Sequence, residues 1–298
     1  MASGKERMPV YFLQQLLNGL CQGSIYSLLA IGYTLIVGVV GLVTFSFGET
    51  LMIGAMSVFY LNIALKTNIL VGATVAFIAS ALGGLLIHQI AYSRFMNAPK
   101  SISLLCTIGC SMLIKNLAQI FCGVETKMMP SIIAIRNFEI GGLRVSNIQL
   151  MIFATVLVVA AALTWLLNKT KIGLRLRAVS QDKTAAALVG ISVSRDTLIG
   201  NCLGSGLGGI AGLLIAVYLN TTSATMGTMI GLKAITCCVL GGLHSIVGAA
   251  IGGIAIGVVE NLGIMFFPAT YRDLFTFVFL VLSLMIRPEG LFVRRKKL

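Results

Sequence analysis

From Val10 to Val40 the chain carries no charged side chain. A helix needs about 20 apolar residues to cross the hydrocarbon core of a bilayer, so this run is long enough to span with some tilt. Comparable runs follow at Ile69–Tyr92, Ile102–Cys122, Leu150–Leu167 and Thr197–Leu219, and a shorter one at Leu274–Ile286. In lipid each backbone N–H and C=O must be satisfied within the segment, so runs of this kind fold as helices. Only 10% of residues are charged and 57% are hydrophobic. A soluble domain carries about 25% charged residues, so this chain has too few to cover a water-facing surface. The expectation is an all-α, polytopic transmembrane bundle, with residues 1–298 forming a single membrane domain.

Two stretches interrupt the runs. In GLVTFSFGETLMIGA (Gly41–Ala55), Thr44, Ser46, Gly48 and Glu49 break the hydrophobicity, which predicts a broken helix whose second half starts near Ser46 and runs to about Leu65. A carboxylate at membrane depth normally faces protein interior or a water-filled cavity. Glu49 also reads as a first-turn charge favoured by the helix dipole, and the two roles are compatible. The second stretch is GLKAITCCVLGGLHSIVGAAIGGIAIGVVENLG (Gly231–Gly263), where Gly241–Gly242 and His244–Ser245 divide a half-helix from a full one. The sequence thus predicts about eight full spans plus two broken half-helices, one in each half. Paired interruptions of this kind point to a pseudo-symmetric transport fold with its pathway between the repeats. Small residues at Gly19, Gly23 and Ser27, and at Gly204, Gly208 and Gly212, recur every fourth position and predict close helix contacts.

The longest polar stretch outside the runs is NKTKIGLRLRAVSQDKTAAALVGISVSRD, Asn168–Asp196. It carries Lys169, Lys171, Arg175, Arg177, Lys183 and Arg195. With Arg94, Lys100, Arg287 and the Arg294–Lys297 cluster these make up more than half of the 22 basic residues, which places this loop and the C-terminus inside by the positive-inside rule. The formal charge of +13 therefore reflects span ends rather than affinity for nucleic acid. Within the loop, Ser180 or Asp182 can cap a helix over Lys183–Val189, Gly190 suits its left-handed end, and Ser194 or Asp196 can cap the next span. The Ala185–Ala187 face is small enough for another protein to approach closely. A headgroup-facing loop with basic anchors and a docking element are both open readings. The second long polar loop, 123–149, has near-balanced charge and is expected outside. Parity then puts the N-terminus outside, against the mild contrary pull of Lys5 and Arg7.

There is no GxxxxGK[ST] phosphate cradle, no HExxH and no Gly-x-Ser-x-Gly, and the two histidines, His88 and His244, stand far apart. The seven cysteines lie in or beside apolar runs and form no CxxC pair, as expected of small apolar fillers. Only Glu49, Lys115, Lys233 and Glu260 are ionisable groups in or near the membrane. These absences argue for a transporter subunit rather than an enzyme, without a cofactor of its own and with its energy source on another chain. The main competitor is a self-sufficient, ion-coupled secondary transporter or channel.

The opening run NGLCQGSIYSLLAIGYTLIVGVVGLVTFSFGETLMIGA, the loop GLRLRAVSQDKTAAALVGIS and the Gly-rich GLKAITCCVLGGLHSIVGAAIGGIAIGVVENL together resemble bacterial branched-chain amino acid ABC transporter permeases of the LivH type, in the same order along essentially the whole chain. The resemblance implies an inner-membrane, multi-pass subunit of an importer. It also implies a second permease subunit, two cytoplasmic ATP-binding subunits that use the ATP, and an external solute-binding protein. The implied ATPase-coupling segment is Gly173, Arg175, Arg177, Ala178, Asp182, Ala186, Gly190 and Ile191. The implied pathway residues are Ser46, Phe47, Gly48 and Glu49, with Gly241 and Gly242. Branched-chain or other hydrophobic amino acids are the implied cargo, with urea or short amides as alternatives. His244 and Lys115 depart from the family's usual small and uncharged residues.

Overall fold

The computed structural model describes residues 4–65, 68–95, 99–130, 136–140, 143–243 and 245–286; His244 and the basic tail beyond Ile286 lie outside them. The helices are α1 (Gly4–Val40), α2 (Phe47–Leu65), α3 (Ile69–Ile87), α4 (Ser93–Phe95), α5 (Lys100–Cys122), α6 (Asn147–Lys169), α7 (Lys171–Gln181), α8 (Lys183–Leu188), α9 (Val193–Leu219), α10 (Met226–Gly241), α11 (Ile246–Gly263) and α12 (Arg272–Ile286). A π-helical turn, His88–Tyr92, extends α3. The strands are short: β1 (Lys127–Met128) pairs with β4 (Thr221–Thr222), and β2 (Asn137–Ile140) forms an antiparallel hairpin with β3 (Leu143–Ser146). Among the described residues seven helices are long and apolar enough to cross a membrane, while α10 and α12 have 16 and 15 residues.

α1 and α9 form the buried spine, and the small-residue stripes explain how neighbours reach them. A Cβ at Gly257 would lie 2.3 Å from Gly23 Cα, and one at Gly253 would lie 2.3 Å from Ser27 N, so α11 runs backbone to backbone along α1. On α9, Gly204 meets Gly32 O of α1, Gly212 meets Leu51 O of α2, and Gly209 meets Ala76 O of α3. In lipid, apolar surface gives no drive for helices to associate, so such close van der Waals contact does that work. α3, α5 and α6 instead turn large apolar side chains outward, among them Leu82, Leu105 and Leu157.

The two halves repeat each other in inverted direction. α1 ends at Val40, residues 41–46 turn back into the bundle, and α2 starts beside the middle of α9, where the Phe47 ring covers Gly208. In the other half α9 ends at Leu219, residues 220–225 turn back, and α10 starts beside the start of α2. α2 packs on α3 as α10 packs on α11, and α3 lies along α9 as α11 lies along α1. The interruption that mirrors 41–46 is therefore 220–225, with Thr222 and Ala224 buried, and not Gly241–Gly242. Gly242, at φ 101°, is the turn between α10 and α11.

α1 also fixes which segments share a face. Near its start Gln14 Nε2 donates to Arg144 O at 2.9 Å, and Arg144 N donates back to Gln14 Oε1 at 3.0 Å. At its end Lys183 Nζ donates to Val40 O. The β2–β3 hairpin and the α7–α8 segment thus occupy opposite ends of the bundle.

Candidate functional site

Three groups of residues stand out, at one end, in the middle and towards the other end of the bundle. The first is α7–α8. Thr170 caps α7 by accepting from Gly173 N at 3.1 Å, and Gly173, Leu176 and Val179 form its buried stripe. Gly173 packs against the Leu166 and Leu167 carbonyls, which admits no larger residue. Of the two capping candidates Asp182 is the one used, accepting from Thr184 N at 2.7 Å and Ala185 N at 3.0 Å. Gly190 is left-handed, at φ 81°. Ser192 stands at the start of α9, so Ser194 and Asp196 lie inside that helix rather than capping it. Asp196 is buried and pairs with Arg175 of α7 at 3.3 Å, which ties the segment to α9. Arg177 Nη1 donates to Asn168 Oδ1 at 3.3 Å, and Ala178 and Ile191 are half-buried. Burial pushes the Lys183 ammonium down, and its bond to Val40 O serves a carbonyl at the negative end of α1.

This geometry divides the alanine face expected for docking. Ala186 is 3% exposed and faces the chain's own core, so it offers nothing to a partner. Ala185 and Ala187 are exposed, and the large outward side chains beside them are Leu188 and Val189, 85% and 75% exposed. Two large apolar side chains at the tip of a capped helix, held by an ion pair and two N-caps, make a rigid apolar knob.

The second group surrounds the crossing of α2 and α10. A Cβ on Gly48 would lie 2.1 Å from Gly227 O, and one on Gly227 would lie 2.4 Å from Gly48 O. Phe47 stacks edge-on to Tyr33 with ring centroids 5.4 Å apart. Ser46 Oγ lies 3.3 Å from Tyr92 OH. Phe47 and Gly48 are thus packing residues of the crossing. Glu49 differs. It is 1% exposed, its Oε1 accepts from Ser111 Oγ of α5 at 3.0 Å, and its Oε2 has no partner. A buried carboxylate with one oxygen unsatisfied is costly and calls for an explanation. Gly241 and Gly242 stand apart from it: a Cβ at Gly241 would meet Gly248 backbone, so this pair serves the α10–α11 contact.

The third group was only half legible, since Lys233 and Glu260 stand out as intramembrane charges but nothing in their spacing pairs them. Lys233 Nζ lies 2.7 Å from Glu260 Oε1 and 2.8 Å from Asp273 Oδ1. Glu260 Oε2 accepts from Tyr26 OH at 3.0 Å and Gln22 Nε2 at 3.2 Å, and Thr276 Oγ1 donates to Oε1. Every oxygen of Glu260 is used, and its charge is balanced. Lys115 is half-exposed on α5. His88 is buried in the π-helical turn with neither ring nitrogen hydrogen-bonded. Among the described residues no cluster of metal-ligating side chains occurs.

The comparisons with known proteins agree along the whole length. The family described as branched-chain amino acid transport system / permease component matches residues 15–284. The chain belongs to this permease family. The high-affinity branched-chain amino acid transport system permease protein LivH of Escherichia coli (strain K12) is 31% identical over 297 residues, covering 96% of each chain. BraD of Pseudomonas aeruginosa, with the same description, is 31% identical over 95% of this chain and 96% of its own. The probable branched-chain amino acid transport permease protein LivH of Methanocaldococcus jannaschii is 25% identical over 89% and 87%. This permease is therefore a multi-pass membrane transport protein.

Proposed function

We propose that this permease is the membrane-spanning subunit of an ATP-driven importer in a bacterial cytoplasmic membrane, and that it passes branched-chain or other hydrophobic amino acids. It pairs with a second permease subunit. Two cytoplasmic ATP-binding subunits engage the α7–α8 knob, and a solute-binding protein delivers cargo at the opposite end, beside the β2–β3 hairpin. The observation that carries this reading is the end-to-end similarity to permeases of branched-chain amino acid transport systems, in a chain with no nucleotide-binding motif of its own. The knob supports it: Arg175, Asp182 and Gly190 make a short, stiff lever whose base is tied to α9. Glu49 is the pathway residue in this reading. Its free Oε2 suits a passing ammonium group, and Ser46, Phe47 and Gly48 hold the half-helix that positions it.

Co-purification in mild detergent tests the docking step. Wild type brings down ATP-binding subunits, whereas Leu188→Asp with Val189→Asp loses them at an unchanged melting temperature. The ion-coupled alternative assigns coupling to Glu49 or Glu260, and Glu260 is already saturated by five neighbours' contacts with Lys233, Thr276, Tyr26, Gln22 and Arg272. Amino acid uptake by the chain alone in liposomes without ATP would overturn the importer reading.

A further inference from the structure

A cavity of about 520 Å³ opens between the inner ends of α6 and α11, with α1 as its floor and α7 as its lid. Its lining is part polar and part apolar. At the α7 end it is lined by Arg177, Asn168, Ser180 and Gln181. Along α1, α6 and the first turn of α11 it is lined by Leu35, Val39, Leu167 and Val247, with Thr34 and Thr164 also in its wall. Below it on α11 an apolar stripe continues at helical spacing, with Val247, Ile251 and Ile254 exposed. The first turn of α11 also borders the polar end, where Ser245 uses only the Gly248 N–H. The remaining first-turn N–H groups of a helix have no partner inside it and favour an anion.

We propose that this cavity binds an anionic phospholipid, with its phosphate held by Arg177 and an acyl chain laid along Val247, Ile251 and Ile254. A cationic, hydrogen-bonding end joined to an open apolar trough at the end of a membrane span matches a phosphate headgroup with a chain attached. A soluble phosphate would use only the polar end, and a zwitterionic lipid would bring a cationic choline beside its phosphate, against the arginine and the basic segment that carries it. Because Arg177 sits on α7, an occupied cavity braces the segment that carries the knob. The inference rests on the membrane placement of the helices and not on the cargo or on the docking step.

Gly38 supplies a clean test. It lines the floor, and a Cβ built there meets no atom within 4 Å, so a larger side chain enters the cavity and not the protein's packing. The full chain, purified in neutral detergent, is titrated with phosphatidylglycerol, phosphatidylcholine or inorganic phosphate, and retained lipid is read by native mass spectrometry. Wild type should retain phosphatidylglycerol in preference to phosphatidylcholine, and equimolar inorganic phosphate should not displace it. Arg177→Gln should weaken phosphatidylglycerol retention about five-fold, Arg177→Lys should restore part of it, and Gly38→Leu should abolish it without lowering the melting temperature. Lys171→Gln, outside the cavity, is the control for loss of general basic charge. Equal retention of both lipids, retention by Gly38→Leu at the wild-type level, or displacement by phosphate alone would each overturn the proposal. So would lipid lost as soon as partner subunits bind, which would make the cavity a protein contact.

Discussion

Two buried carboxylates in this permease meet opposite fates, and the difference lies in their neighbours. Glu260 has its charge matched by Lys233 and its oxygens filled by Thr276, Tyr26 and Gln22. Glu49 has one hydrogen bond and one idle oxygen. Removing one member of a buried pair strands the other charge, at a cost of about 3–5 kcal/mol, whereas replacing both can be nearly neutral. Lys233→Met should therefore lower the detergent melting temperature sharply, and adding Glu260→Gln should recover much of the loss; a single variant as stable as wild type would show that the pair contributes nothing. Glu49→Gln removes a charge that has no matching cation in hydrogen-bonding contact, so the fold should keep or gain stability while ATP-driven uptake falls. A parallel loss of both in melting and uptake assays would make Glu49 structural. The sequence marks both glutamates as unusual but cannot separate them, because the partners of Glu260 come from three other helices, α1, α10 and α12, and only the fold brings them together.

At the scale of elements, legibility followed how local the signal is. The capped helix at Asp182–Gly190 needs only its own residues, so the sequence displays it. α7 is hidden in the sequence although Gly173, Leu176 and Val179 repeat at three-residue intervals, because its basic residues make the stretch resemble a solvated loop. The 220–225 interruption is hidden for a related reason: NTTSAT has the polarity of any loop beside a span, and only its tertiary burial distinguishes it. The same locality yields a prediction. Gly190 is left-handed, and a Cβ there would touch nothing within 4 Å, so Gly190→Ala should cost only the backbone strain, about 1–2 kcal/mol. Asp182→Ala should cost about 1 kcal/mol through the lost cap. Amide exchange should quicken over 183–190 in both variants, with the spans unaffected. Exchange that spread into α9 would mean that the segment does not unfold on its own.

For the whole molecule, the inverted repeat and the sidedness are one problem. α1 runs from the hairpin face to the knob face, and α9 runs beside it in the opposite sense, since Val39 meets Gly200 while Gly32 meets Gly204 and Leu207. The half-helices α2 and α10 then each leave the crossing at Gly48–Gly227 towards opposite faces. α12 runs antiparallel to α11, with Phe275 against Gly263 and Thr276 against Glu260. Geometry alone says only that hairpin and knob are on different sides; the positive-inside rule, applied to the Lys and Arg around the knob, predicts that the knob side is cytoplasmic. The choice is open to direct labelling. In a background with the seven native cysteines replaced, Glu125→Cys in the loop between α5 and β1 and Leu188→Cys on the knob both sit at exposed positions. A membrane-impermeant maleimide should modify the first in intact cells and the second only after permeabilisation. The reverse pattern would leave the fold untouched but would put the knob outside, where no ATP-binding subunit could reach it, and the importer reading would fall with it.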